Sequence, residues 1–148
     1  METTHQYQVS VDWSNDRKGI LKSPDLHQSI EVATPPQFPK GIPDIWSPEH
    51  LFTAAVNSCL MTTFLSIAEN SKLTFRSFHS TGTGKLEMVD GKFMMSEVIL
   101  EPVLEIENEK DRERAERILQ KSEAACLISN SIRSKVVFLP RVELAQPV

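Results

Sequence analysis

Apolar and polar residues alternate through YQVSVDW (residues 7–13). A period of two predicts a strand with one buried face. NDRKG (15–19) has the chemistry of a turn and leads into a second short strand at GILKS, and LHQSIEVA (26–33) reads as a third. Together they predict a small antiparallel meander. TPPQFPKGIPD (34–44) carries four prolines and a glycine, which leaves no room for a helix or a central strand. At SPEHLFTAAVNSCL (47–60) the pattern changes. The Ser47 hydroxyl suits the first free helix N–H groups, Pro48 suits the first helical position, and Glu49 suits the positive end of the dipole. The helix is expected to run to about Glu69. Its apolar residues (Leu51, Phe52, Ala55, Val56, Leu60, Phe64, Leu65 and Ile67 among them) cover most of the circumference, which predicts a central, buried helix.

Two long extended runs flank Asp90-Gly91, the strongest short hairpin signal in the chain. NEKDRERAERILQKSEAAC then predicts a second helix capped by Asn108. Ala115, Ile118, Leu119, Ser122 and Ala125 form a narrow apolar or small stripe, with Cys126 at its end. Its charged face offers the i,i+4 pairs Arg112–Glu116 and Glu113–Arg117. SKVVFLPRVEL closes the chain as a final strand. The order β-β-β-α-β-β-α-β is that of one α+β domain over residues 1–148, a buried helix packed on antiparallel sheet.

Composition narrows the function classes. The 148 residues are 40% hydrophobic and 24% charged, ordinary for a globular protein, with net charge −4 and no basic block, so nucleic acid is not an expected partner. No stretch reads as long and apolar enough to span a membrane, and METTHQYQVSVDW lacks the pattern of a signal peptide. The expected location is cytoplasmic. Two cysteines in a reducing compartment are buried, catalytic or redox-active more often than structurally bridged.

Cys59, among Ala55, Val56 and Leu60, is by local sequence a small core residue, and the same holds for Cys126. Cys59 lies 12 residues past Ser47, roughly 18 Å along the axis, beyond the reach of the helix dipole. A nucleophilic Cys59 therefore needs positive charge from elsewhere. Arg17 is the one arginine in the first 75 residues, and a guanidinium stays charged and pairs bidentately with carboxylates. The four histidines are scattered and none has metal-ligand spacing with a cysteine. No cofactor or metal is expected.

SPEHLFTAAVNSC resembles the central helix of the OsmC/Ohr family, the osmotically inducible and organic hydroperoxide resistance proteins, with its pattern N-P-E-x-L-(L/F)-x-A-x-x-x-x-C. CLISNSIR (126–133) is similar to the second-cysteine segment of the organic hydroperoxide resistance branch, C-P-x-S-N-x-x-R. Arg17-Lys18-Gly19 lies at the matching distance before ATP (33–35). Ser47 stands where the family has Asn, and Leu127 where it has Pro.

The resemblance implies an α+β OsmC-like fold and an intertwined homodimer with shared sites. It also implies a thiol-dependent peroxidase that reduces organic hydroperoxides. It maps the peroxide-attacking thiol to Cys59, the resolving thiol to Cys126, and a supporting ion pair to Arg17 and Glu49. The implied reductant is an external dithiol such as a dihydrolipoyl group. Glu49 and Cys59 are 10 residues apart, roughly 15 Å along the helix and about 80° around it, so a shared site calls for Glu49 of a second copy. An apolar lining from Leu51, Phe52, Leu60 and Ile128 would favour organic peroxides. The competing reading is a non-peroxidatic dimer that binds an apolar ligand, its cysteines inert and buried. A third is a scaffold whose function is its interface.

Overall fold

The computed structural model describes residues 3–147. By its internal contacts the chain divides into two units, Met1–Leu51 and Phe52–Val148. The strands of the first are β1 (Ser10–Asn15), β2 (Lys18–Lys22) and β3 (Ile30–Ala33). They pair antiparallel in the order β1-β2-β3, as the alternation predicts. β1 begins later than expected, so Tyr7 and Val9 precede it. Asp16 takes a positive φ of 50° in the two-residue turn that joins β1 to β2. After β3 the proline-rich segment is irregular. The Ala33 N–H donates to the Trp46 carbonyl (2.8 Å), and a single bridge pairs Val32 with Trp46. A Cβ on Gly41 would collide with the Pro35 carbonyl, so the close approach of these two backbones requires glycine there.

Helix α1 (Pro48–Asn70) starts where Ser47 and Pro48 place it. The Ser47 side chain is wholly buried; its Oγ accepts from the His50 N–H (3.1 Å) and hydrogen-bonds His50 Nδ1 (2.6 Å). Within the chain the burial of this central helix is one-sided. Within the chain the buried residues of α1 are Val56, Leu60, Phe64 and Ala68, a single i,i+4 stripe. Met61 and Leu65 stay 40% and 41% exposed. The reading that no stretch could span a membrane needs correction: α1 is long and apolar enough by length and composition.

The second unit is built on a long antiparallel hairpin, β4 (Phe75–Val89) and β5 (Lys92–Ile106). Asp90 (φ 49°) and Gly91 (φ 80°) both take the left-handed conformation that a tight hairpin turn demands. Gly82 and Gly84 lie under α1, where an added Cβ would meet Asn57 and Thr53 respectively. Asn57 is fixed to β4 by two bonds: its Nδ2 donates to the Ser80 carbonyl (2.8 Å), and its Oδ1 accepts from Ser80 Oγ (2.6 Å).

The Asn108 side chain caps a short 3-10 turn, Glu109–Asp111, rather than α2 (Arg112–Ala125) directly. Salt bridges run back to that turn, Arg112–Glu109 (2.6 Å) and Arg114–Asp111 (3.3 Å), in place of the expected i,i+4 pairs. Ala115, Ile118, Leu119 and Ser122 are buried as the stripe predicts, whereas Ala125 is exposed. The expected final strand is two strands, β6 (Lys135–Phe138) and β7 (Arg141–Leu144), broken at Leu139-Pro140 because proline supplies no ladder N–H. Both run parallel to β5, so this sheet is mixed rather than purely antiparallel.

Two apolar clusters make the core of this unit. Phe64, Ala68, Leu104, Ile106, Ala115 and Leu119 belong to one, where Phe64 stacks on Phe78 (5.0 Å between centroids) and meets Phe75 edge-on (5.2 Å). Val56, Leu60, Val98 and Leu100 form the other, with Phe52, Ile128 and Ile132 packed against it.

Candidate functional site: a paired thiol

Cys59 occupies the middle of α1, next to the buried Leu60, and is half-buried and free. Its sulfur lies 3.9 Å from the Thr63 hydroxyl, one turn on. Cys126 ends α2, is wholly buried, and is also free. Ile128 and Ile132 seat the following turn on the Val56–Leu60 cluster. The turn is tied internally. The Asn130 N–H donates to the Cys126 carbonyl (3.1 Å), and Asn130 Nδ2 donates to the Ala124 carbonyl (3.1 Å). Ser131 Oγ donates to the Leu127 carbonyl (2.7 Å).

The two thiols are near enough for each to influence the other's ionisation. Burial is the largest influence on Cys59 and raises its pKa. The Ile128 N–H, the Cys126 thiol, Thr63 and the Leu127 N–H pull it down, and the net direction is below the ordinary thiol value. For Cys126 burial is again largest and raises the pKa. The neighbouring Cys59 adds to that push, and the net direction is upward. The two thiols are thus shifted in opposite directions, Cys59 downward and Cys126 upward.

Arg17 and Glu49 belong to the first unit. Arg17 is exposed at the β1–β2 turn, where its carbonyl accepts from the Thr34 N–H (3.2 Å); it joins none of the salt bridges found among the described residues. Glu49 is half-buried in the first turn of α1. Of the expected lining, Phe52, Leu60 and Ile128 pack in one cluster; Leu51 is half-buried in the first unit. Among the described residues no group of three or more His, Cys, Asp or Glu side chains is placed to hold a metal ion. Asn130 and Ser131, the residues that tie the turn after Cys126, stood in the CLISNSIR motif without an assigned role.

This fold, with a cysteine on a long helix and a second cysteine brought to it, is that of an OsmC-like protein. The sequence profile described as OsmC-like protein matches residues 41–139, and the chain belongs to that family. Among its relatives is the uncharacterized protein YmaD of Bacillus subtilis, 22% identical over 137 residues and matched over 89% of each chain. An OsmC-like protein of unknown function from Vibrio cholerae superposes with a TM-score of 0.82 at 23% identity, covering 93% of this chain and 99% of that one. The organic hydroperoxide resistance protein OsmC of Legionella pneumophila gives 0.75 at 22% identity, covering 96% and 99%. That of Elizabethkingia anophelis gives 0.74 at 21%, covering 98% and 100%. At these identities the structural likeness speaks for the fold.

Proposed function

We propose that the protein is a thiol-dependent peroxidase that reduces organic hydroperoxides to alcohols, working as a homodimer in the cytoplasm. The observation that carries this reading is the placing of two free cysteines, a half-buried Cys59 in the middle of α1 and a buried Cys126 at the end of α2, whose following turn packs on the Val56–Leu60 cluster; the opposite shifts of the two thiols agree with it. The Cys59 thiolate attacks the outer oxygen of R–O–O–H, the O–O bond breaks, and sulfur becomes sulfenic acid. The departing alkoxide takes the Cys126 proton and leaves as the alcohol. The Cys126 thiolate then attacks the sulfenic sulfur and expels hydroxide, which closes a Cys59–Cys126 disulfide. In sum, two thiol sulfurs lose two electrons and the peroxide gains them. An external dithiol, such as a dihydrolipoyl group, restores the pair.

Arg17 and Glu49 are assigned the guanidinium–carboxylate pair that steadies the thiolate and the developing oxyanion, with Glu49 supplied by a second copy. What supports a dimer is uncovered apolar surface. Val11 and Trp13 on β1 are 61% and 77% exposed, and Tyr7 and Val9 continue their alternation. The exposed flank of α1 adds Met61 and Leu65. Phe52 and Ile128 give the site an apolar border that suits an organic peroxide.

The test is intact mass and free-thiol count before and after one equivalent of cumene hydroperoxide, for wild type, Cys59→Ser and Cys126→Ser. The expected result is loss of two thiols and two hydrogens in wild type, gain of oxygen in Cys126→Ser, and no reaction in Cys59→Ser. Thiols of folded wild type that survive untouched would overturn the proposal in favour of an inert pair. For Arg17→Ala the expected outcome is slower reaction of Cys59 with an alkyl hydroperoxide; an unchanged rate removes Arg17 from the mechanism.

A further inference from the structure

A hydroxyl on a helix can turn back and bond a backbone carbonyl one turn earlier. Ser58 Oγ donates in this way to the Ala54 carbonyl (2.7 Å), and Thr62 Oγ1 to the Cys59 carbonyl (3.2 Å). On α2, Ser122 Oγ donates to the Ile118 carbonyl (2.6 Å). Thr63 differs. Its hydroxyl lies 3.9 Å from the Cys59 sulfur, and this is the one hydrogen bond it makes among the described residues. We infer that the Thr63 hydroxyl is a further catalytic group of the site, a donor that holds the negative charge of an ionised Cys59. The inference rests on the reading of Cys59 as the nucleophile and adds a group to it.

Position, packing and chemistry carry the assignment. Cys59 and Thr63 are i,i+4 neighbours, so they stand one above the other on one face of α1. Their row continues to Ile67 and flanks the buried stripe of Val56, Leu60, Phe64 and Ala68; Cys59, Thr63 and Ile67 are all half-buried. Ile67 packs against the Phe64 cluster, so an apolar branched side chain suits this row, and packing does not ask for the oxygen of Thr63. While Cys59 is a thiol, either atom can be the donor. Once ionised, the sulfur offers only lone pairs, and Thr63 must donate. A hydrogen bond to the charged form is the stronger one, which is the condition for assisting ionisation. In that step the Cys59 S–H bond breaks, its electron pair stays on sulfur, and the proton passes to solvent. Thr63 keeps its own proton and turns it toward the new charge. Burial raises the Cys59 thiol, and Thr63 is among the groups that draw it down, in agreement with the geometry.

The experiment compares two variants in the full, reduced chain. Thr63→Val keeps the shape and removes the hydroxyl; Thr63→Ser keeps the hydroxyl and removes a methyl. The rate of Cys59 alkylation by iodoacetamide is followed from pH 5 to 10, and Cys59 is read by peptide mass mapping. Thr63→Val is expected to raise the midpoint by about half a pH unit and to slow alkylation about threefold below it, the low end for one hydrogen bond because 3.9 Å is long. Thr63→Ser is expected to recover most of that rate. A folded Thr63→Val chain with the wild-type profile overturns the inference. Equal slowing in both variants overturns it too, since that is an effect of packing rather than of the hydroxyl. If the valine variant lacks a cooperative thermal transition, Thr63→Ala set against Thr63→Ser isolates the same oxygen, and equal profiles are equally fatal. Alkylation needs no peroxide, so the two readings fail separately. A chain inert to cumene hydroperoxide that still gives the shift sinks the peroxidase alone. A working peroxidase with an unchanged profile sinks the hydroxyl role alone.

Discussion

The Cys126 thiol is one of the groups that draw Cys59 below its ordinary value; alanine at 126 removes that S–H, whereas serine keeps a hydroxyl donor. Both variants leave Cys59 as the single thiol, so bulk alkylation reads it directly. A hydrogen bond to an ionised acceptor contributes about 1.5–3 kcal/mol. Two features reduce that figure. A thiol is a weak donor, and Cys59 is half-buried, so water replaces part of what is lost. About 1 kcal/mol remains, which predicts that Cys126→Ala alkylates roughly fivefold more slowly than wild type below the midpoint. Cys126→Ser should match or exceed wild type. The assay is the second-order rate with iodoacetamide at fixed pH and ionic strength, with thermal melts to confirm that all three chains are folded. Equal rates in the alanine and serine variants would refute the reasoning, because the S–H would then contribute nothing to the thiolate.

The remaining expectations concern stability and assembly. Phe64→Ala deletes a wholly buried ring with two aromatic partners and should cost about 3–5 kcal/mol in urea unfolding; a loss below about 1 kcal/mol would contradict the packing. The thiols should make stability depend on pH with opposite signs. As pH rises through the lowered value of folded Cys59, the native state releases a proton that the unfolded chain still holds, so stability climbs until the unfolded value is passed. Above that value folded Cys126 retains a proton that the unfolded chain has lost, so stability falls. The difference in unfolding free energy between wild type and a double alanine variant should therefore peak near the ordinary thiol value, and a flat difference would rule this out. Sedimentation should give twice the 16.7 kDa chain mass, and Trp13→Glu should shift the protein toward that mass; a wild-type monomer at micromolar concentration would remove the proposed homodimer.

Local punctuation was legible in the sequence because its physics is local. Ser47-Pro48 marks where α1 begins, Asp90-Gly91 marks the hairpin, and alternation finds the meander. Long-range pairing was not. Nothing in SKVVFLPRVEL separates a strand that joins β5 in parallel from one that joins it antiparallel, and the break at Pro140 between β6 and β7 was read through as one strand. The apolar circumference of α1 says how much surface needs covering, not which chain covers it. Cys59 and Cys126 were singled out as a candidate pair through motif resemblance.

β5 is the strand on which its sheet depends, since β4, β6 and β7 all pair with it. The β4–β5 hairpin closes through a two-residue turn and can form within microseconds. The parallel partners must wait for the crossover through α2 and for the loop-closure entropy that it costs. Cys126 travels on that crossover, between α2 and β6. On the proposed mechanism, Cys59 is left without its resolving partner during folding and in any fluctuation that detaches the C-terminal strands, and oxidation in that interval would carry it past the sulfenic acid to forms that no dithiol recovers. On that mechanism the speed with which the C-terminal segment docks is as much a part of the protein's defence as the chemistry of the pair.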